Sequence, residues 1–158
     1  MYYFSDETNW QKMEKVLFSW IGTPYRHMQM AKGRGADCTL FLAAIWKEFG
    51  LLTNVEHEYY KRDWINTTKD QKVINGILKH YKEYAIDGIT LKQYERDEEL
   101  FRGDLLVFCL NEKGIANHAG VYLGDEKLIH ATNLRGVSVY FMGQAWRSRI
   151  TTFFRVEV

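Results

Sequence analysis

The sequence contains very little cysteine and no long hydrophobic run. Its 158 residues include two cysteines, Cys38 and Cys109, which excludes a disulfide-rich scaffold, and we expect both thiols to be reduced. No stretch approaches the roughly 18 consecutive apolar residues of a membrane span, so no membrane span is expected. Residues 1–15 lack a basic region followed by an apolar one, and they therefore do not predict a secretory signal.

The sequence also lacks an excess of charge of either sign. Lysine and arginine number 21 and aspartate and glutamate 20, which gives a net charge of +1. This balance gives no reason to expect nucleic acid or an anionic membrane surface as a partner. Repeats, low-complexity tracts and linkers are absent from the sequence, so residues 1–158 are predicted to form a single domain.

Helical patterns dominate the first half of the chain. Apolar residues at a period of 3.6 predict a first helix that is capped by Ser5 or Asp6 and ends at Gly22-Thr23-Pro24. The same period predicts a helix from Lys69 to Tyr84. The polar and aromatic residues 54–67, which precede the helix from Lys69, fit a short helix or a loop.

Strand patterns dominate the second half, after a charged and ambiguous segment, residues 85–102. A short Gly-Asp turn between two of the strands predicts antiparallel pairing. About five strands are predicted, at residues 105–110, 118–123, 127–131, 137–141 and 150–158. Helices followed by strands indicate the α+β class, with N-terminal helices packed on an antiparallel sheet.

Cys38 stands at the first turn of a predicted helix. The glycine-broken loop Lys32–Gly35 leads to Asp37 and Cys38, and the helix is predicted from Cys38 to Phe49 with Gly50 as its stop. The N–H groups and the dipole of a helix start favour a thiolate, so the position predicts a lowered thiol pKa and a nucleophile.

A base for this nucleophile is predicted from the spacing of two histidines. In a hairpin centred near Gly124 and Asp125, His118 pairs with about position 130. Opposed side chains lie roughly 4.5–5.5 Å apart at Cβ, so His118 and His130 are predicted to hydrogen-bond. One histidine then orients the other, as a Cys-His catalytic pair requires.

Other roles for these residue types are less favoured by the sequence. A zinc site built from Cys38, His118 and His130 lacks a fourth ligand and the short-range ligand pairs of structural zinc, so neither a metal nor a cofactor is expected. A lone buried cysteine or a strand histidine is most often structural.

The remaining cysteine and histidines show weaker patterns. Cys109 has apolar neighbours and is predicted to be core. His27 lies close to the loop before Cys38 and could line a site. His57 and His80 lie in polar contexts and are expected to be solvated.

Several motifs appear in the order that one protein family shows. They are Thr23-Pro24-Tyr25, Asp37-Cys38, Gly103–Phe108, His118–Asp125 and Leu128–Ala131. In these motifs the chain resembles the NlpC-type papain-like cysteine peptidases of bacterial cell-wall metabolism. Thr23–His27 and Tyr60–Trp64 resemble the phage and gene-transfer-agent branch of that family.

The resemblance implies a papain-like α+β core and a cysteine peptidase or amidase. The substrate would be an amide of the peptidoglycan stem peptide, in many members the bond between γ-D-glutamyl and a diamino acid. Cys38 would correspond to the nucleophile, His118 to the base and His130 to the residue that orients it. His118 would act as an imidazolium that stabilises the Cys38 thiolate.

The resemblance also implies a substrate pocket around the nucleophile. Tyr25 would bind the oxyanion or the substrate, and Asp37 would shape substrate binding. Two departures fall in this pocket: Thr39-Leu40 stands where the family commonly has Ser-Gly, and Arg26-His27 stands where Trp-Gly-Gly is frequent. We therefore expect Arg26, His27 and Leu40 to influence what reaches Cys38, and Thr39, which keeps the hydroxyl, to contribute to substrate binding.

The branch implies a route to the cell wall. Without a signal peptide, synthesis in the cytoplasm is expected, followed by association with a phage tail or phage-like particle, or release to the wall. One alternative is an acyltransferase or lipid amidase on a related scaffold, but there the histidine precedes the cysteine. Another is a structural tail protein whose peptidase site has lapsed, against which the intact Cys38, His118 and His130 argue.

Overall fold

Helix α1, Glu7–Ser19, begins at the predicted cap. In this computed structural model, which describes residues 1–56 and 58–158, the Asp6 carboxylate accepts a hydrogen bond from the Asn9 N–H at 2.9 Å. This bond satisfies one of the N–H groups that a helix start leaves without a partner. The buried face of α1 comprises Trp10, Met13 and Leu17.

A small hairpin occupies the segment predicted as loop before the second helix. Strands β1, Met30–Ala31, and β2, Gly35–Ala36, pair antiparallel. Gly33 has a φ of 77° between them, a conformation that glycine adopts without a steric penalty. The hairpin sets the path by which the chain enters α2.

Helix α2, Cys38–Phe49, has the bounds that the sequence predicts. The Asp37 carboxylate caps its start by accepting from the Leu40 N–H at 2.9 Å. Gly50 ends it with a φ of 103°, a left-handed C-terminal stop.

Helix α3 spans Lys72–Tyr84, three residues shorter at its start than predicted. The Asp70 N–H donates to the Thr68 hydroxyl at 3.0 Å, a local bond that competes with helix formation. Between α2 and α3, the polar segment forms a short 3₁₀ turn at Trp64–Asn66. His57, expected to be solvated, lies outside the described residues.

The described residues form a six-stranded antiparallel sheet rather than the predicted five strands. Its strands run along the chain as β3 Thr90–Glu95, β4 Leu105–Phe108, β5 His118–Gly124, β6 Lys127–Thr132, β7 Gly136–Phe141 and β8 Ile150–Glu157. Their order across the sheet is β3-β8-β4-β5-β6-β7. A five-residue helix, α4, Gly143–Arg147, connects β7 to β8.

Apolar side chains cover both faces of this sheet. On one face, Phe41 and Ile45 of α2 belong to the same buried cluster as Val107 of β4. On the other face, Phe108 and Phe153 belong to a second cluster. Burial on both faces explains the unbroken apolar run of β4, and it holds the start of α2 against β5.

A buried ion pair joins the start of β4 to β8. The Arg155 guanidinium donates to both carboxylate oxygens of Asp104, at 2.8 and 2.7 Å. Both side chains are buried, and the cation lies 4.1 Å from the ring centroid of Phe101 and 4.5 Å from that of Tyr94. Burial raises the pKa of Asp104, while its bonds to Arg155 act in the opposite direction.

None of the helices within residues 1–56 and 58–158 has both the length and the apolar character needed to cross a membrane.

Candidate active site

The Asp37 carboxylate fixes the start of α2 by accepting four hydrogen bonds. Besides capping Leu40, this buried carboxylate accepts from the Thr39 hydroxyl at 3.2 Å and from the Met28 N–H at 2.9 Å. The Tyr60 hydroxyl donates to it as well. Asp37 therefore ties the helix start, the loop before it and the segment around Tyr60 into one unit.

The Cys38 thiol is enclosed at this helix start. Cys38 is 7% exposed, and its Sγ lies 4.0 Å from the main-chain oxygen of Asn117, the residue before β5. Burial, followed by the neighbouring Asp37 carboxylate, raises the pKa of the Cys38 thiol to about 12. The predicted lowering of this pKa is therefore wrong, because desolvation outweighs the N–H groups of the helix start.

The predicted hydrogen bond between the two histidines is present. His118 begins β5 and His130 lies in β6, and His118 Nε2 is 2.7 Å from His130 Nδ1. Both imidazoles are buried. This bond engages Nε2 of His118 and leaves its Nδ1 for another partner.

The two histidines are diagonal neighbours rather than directly opposed as predicted. Strands β5 and β6 pair Val121 with Ile129, and the register shifts next to the turn. Continued along the strands, this register places Gly120 opposite His130. A Cβ at Gly120 would lie 3.1 Å from that of His130. The missing side chain leaves room for the imidazoles to meet on one face.

Burial also keeps the two imidazoles neutral. It lowers the pKa of His118 to about 3, with a smaller contribution from His130. Burial lowers the pKa of His130 to about 4. Burial therefore favours a neutral Cys38 thiol and a neutral His118 imidazole over the predicted thiolate and imidazolium.

Cys38 and His118 line one cavity of about 830 Å³. Its volume is within the range of roughly 300–1,000 Å³ that is usual for ligand pockets. Of the residues predicted to influence substrate entry, Tyr25, His27, Asp37 and Thr39 also line it. The cavity therefore brings most of the predicted site together.

Arg26 is placed differently from the prediction. Its side chain lies across the β1–β2 hairpin, where Nε donates to the Arg34 carbonyl oxygen at 3.0 Å. Gly35 provides the space, since a Cβ there would come within 2.6 Å of Arg26 Cδ. Arg26 therefore supports the hairpin rather than lining the cavity.

Sequence reasoning missed several residues that surround the reacting groups. The main-chain oxygen of Tyr60 accepts a hydrogen bond from His27 Nε2 at 2.7 Å, and the Tyr60 ring lies against that imidazole. Tyr140 and Trp146 lie against His130 with ring centroids at 4.3 and 4.8 Å. The Tyr60–Trp64 motif is the one sequence signal that could have indicated Tyr60.

The described residues include no group of three or more His, Cys, Asp or Glu side chains that could hold a metal ion.

Acid is expected to destabilise the protein through its buried histidines. An unfolded histidine has a pKa of about 6.5, so below this pH the unfolded chain binds protons that folded His118 and His130 exclude. The stability that the two neutral histidines contribute is complete above pH ~6.5, and it is lost as the pH falls toward their pKa values in the folded protein. The free energy of unfolding should fall by up to about 1.4 kcal/mol per pH unit for each histidine.

Urea denaturation between pH 7 and pH 4.5 measures this effect. Compared with the wild type, a His118→Gln/His130→Gln variant should show a shallower loss of stability, because its carboxylates are unchanged and only the imidazoles are gone. Two parallel curves would contradict the assignment of neutral, buried histidines.

The chain is similar to several known proteins. Residues 22–155 match the NlpC/P60 family. The chain is 26% identical over 141 residues to a probable endopeptidase NlpC homolog of Haemophilus influenzae, covering 89% of this chain and 58% of that protein. It is 29% identical over 140 residues to the probable endopeptidase NlpC of Escherichia coli K12, covering 84% and 72%. The chain thus spans less than two thirds of the Haemophilus relative.

The fold is also similar to that of solved structures. One is the peptidoglycan hydrolase RipB of Mycobacterium tuberculosis, with a TM-score of 0.57 and 16% identity, covering 98% of this chain and 67% of that one.

Proposed function

The chain belongs to the NlpC/P60 family, and we propose that it is a cysteine hydrolase that cleaves an amide bond in the stem peptides of peptidoglycan. One observation carries the proposal: Cys38 and His118 line the same cavity, and His118 is hydrogen-bonded to His130. The two relatives named as probable endopeptidases support the reaction, and RipB, named a peptidoglycan hydrolase, agrees with the substrate. The bond we propose is γ-D-glutamyl to a diamino acid.

In this mechanism Cys38 attacks as a thiol that loses its proton during the attack. Because both groups are neutral at rest, His118 takes the proton from Sγ as sulfur bonds to the carbonyl carbon. His118 Nδ1 is the free nitrogen for this transfer, since Nε2 is engaged by His130. Catalytic hydrogen bonds often tighten only when substrate binds, which fits a thiol that now faces the Asn117 carbonyl.

The oxyanion that forms needs hydrogen-bond donors at the start of α2. The Cys38 N–H is one candidate and the Tyr25 hydroxyl is the other. Burial raises the pKa of Tyr25 well above its usual value, so its hydroxyl keeps the proton it would donate. Removing one such donor typically costs about 2.7–4 kcal/mol of transition-state stabilisation.

The reaction then closes in two steps. Protonated His118 donates its proton to the leaving amine nitrogen, the C–N bond breaks, and a thioester on Cys38 remains. Water loses a proton to His118 and attacks the thioester carbon. The C–S bond then breaks, His118 returns the proton to Sγ, and the carboxylic acid that leaves ionises in solution.

Mass spectrometry of digested peptidoglycan tests the proposal. The protein is incubated with purified muropeptides, and a Cys38→Ala variant serves as the blank. We expect fragments that carry a new free amine and a new carboxylate, separated at an amide of the stem peptide. If the only products are cut between sugars, or if no products appear beyond those of the Cys38→Ala blank, the proposed amide hydrolysis is rejected.

Association with a phage tail or phage-like particle stays a prediction. It depends on the Thr23–His27 and Tyr60–Trp64 motifs.

A further inference from the structure

His130 has a buried nitrogen without a conventional partner. Its side chain is fully enclosed, and Nε2 is the buried side-chain nitrogen or oxygen that lacks a hydrogen bond among residues 1–56 and 58–158. Buried polar atoms are nearly always paired, and an unpaired one calls for an explanation. Because Nδ1 faces His118, the explanation must come from what surrounds the other side of the ring.

Two aromatic rings pack against the His130 imidazole. Tyr140 of β7 and Trp146 of α4 lie 4.3 and 4.8 Å from the His130 centroid, with interplanar angles of 84° and 81°. Such edge-to-face contacts place the positive edge of one ring against the negative face of another. An N–H directed at an aromatic face is a weak but real hydrogen bond. A lone pair in the same position would be repelled.

The two rings are themselves held in place. The Tyr140 hydroxyl lies 3.2 Å from the Thr132 hydroxyl. The Trp146 ring packs at 78° against Phe108, with centroids 5.5 Å apart, and it also contacts His118 at 5.8 Å. The two rings beside His130 are therefore held by contacts with three different elements.

We propose that Tyr140 and Trp146 form an aromatic clamp that holds His130 with its proton on Nε2 and its lone pair on Nδ1. His130 must then accept from His118, whose Nε2 carries a proton and whose Nδ1 is left as the base. Tyr140 and Trp146 are thus positioning residues, acting on Cys38 through two imidazoles. Their catalytic consequence rests on the proposed function, whereas the position of the proton does not.

Nitrogen-15 NMR of the histidine side chains tests the clamp without substrate. Long-range proton–nitrogen spectra distinguish a protonated ring nitrogen from one with a lone pair. In the wild type at pH 7, we expect both His118 and His130 to carry the proton on Nε2. A proton on His130 Nδ1 would overturn the proposal, whatever the activity of the protein.

Substitutions test whether the aromatic faces of Tyr140 and Trp146, rather than their polar groups, set the position of the His130 proton. Trp146→Leu and Tyr140→Leu remove a face, whereas Trp146→Phe and Tyr140→Phe keep one. In each Leu variant, the His130 proton should be shared between Nδ1 and Nε2. When the two Leu substitutions are combined, kcat should fall roughly tenfold with little change in KM. The Phe variants should restore the wild-type NMR signature and most of kcat.

The control and the failure outcomes are distinct. Phe141→Leu, at an exposed neighbour of Tyr140, should change neither readout. Leu variants that keep the proton on Nε2 and the wild-type kcat would reject the clamp. If a Leu variant does not fold, the wild-type spectrum and the Phe variants still decide the outcome. The correct proton position in a protein without hydrolytic activity would reject the proposed function alone.

Discussion

Replacing Cys38 with alanine should abolish muropeptide cleavage while leaving the fold intact. No other group in the proposed mechanism can form the covalent thioester, so the rate should fall by roughly 10⁴- to 10⁶-fold, the scale observed when a nucleophile is removed. Alanine fills most of the space of a buried cysteine, and the change in the free energy of unfolding should stay within about 1 kcal/mol. Product release followed by chromatography, with urea denaturation of the same samples, measures both quantities.

Cys109 provides a matched control for this variant. It is the other thiol of the chain, and its Sγ–H donates locally to the Asn111 carbonyl oxygen at 3.3 Å. Cys109→Ala should keep wild-type activity. Residual cleavage by Cys38→Ala at a tenth of the wild-type rate would rule out Cys38 as the nucleophile.

Breaking the Asp104–Arg155 ion pair should cause the largest loss of stability. Asp104→Asn leaves a buried guanidinium that cannot release its proton, and such an uncompensated charge typically costs about 3–5 kcal/mol. Arg155→Met should cost less, because burial already raises the pKa of Asp104 and the carboxyl can take up a proton. Urea denaturation at pH 7 measures the two effects.

Two further variants give this prediction its controls. The surface pair of Arg102 and Glu7 has a similar 2.8 Å distance but an exposed glutamate, so Glu7→Gln should cost at most about 1 kcal/mol. An Asp104→Leu/Arg155→Met double variant should be less destabilised than the sum of its single changes. Equal losses for Asp104→Asn and Glu7→Gln would show that burial does not govern the energy of the pair.

The parts of the fold that were predictable are those set by neighbouring residues. Helix α2 was predicted to the residue because its cap at Asp37 and its stop at Gly50 are local features. Strand β3 was missed because it is an edge strand with mostly exposed side chains. Its sequence does not show the apolar pattern of a strand buried in a sheet.

The candidate site, like the fold, was predictable only where neighbouring residues determine it. The shared face of His118 and His130 followed from strand periodicity, but their register did not. The turn is centred on Asp125 and Glu126, which have φ values of 51° and 57°, and the pairing shifts beside Leu123. Neither the positive φ values nor the irregularity has a clear signal in the sequence, so the predicted pairing was off by two residues.

The protonation states could not be predicted from the local sequence at all. A helix start is visible in the sequence, whereas the burial of a thiol depends on every element packed over it. The same holds for the neighbours of His130, since Tyr140 and Trp146 reach it from β7 and α4.

The buried, protonated thiol also determines how this protein should respond to oxidants. Formation of a sulfenic acid proceeds through the thiolate and requires access to the sulfur. Because burial and the Asp37 carboxylate raise the pKa of Cys38 to about 12, we expect peroxide to find little thiolate to oxidise. An enzyme built in this way would keep its nucleophile intact in an oxidising medium and expose its reactivity only while a carbonyl carbon is bound beside the sulfur.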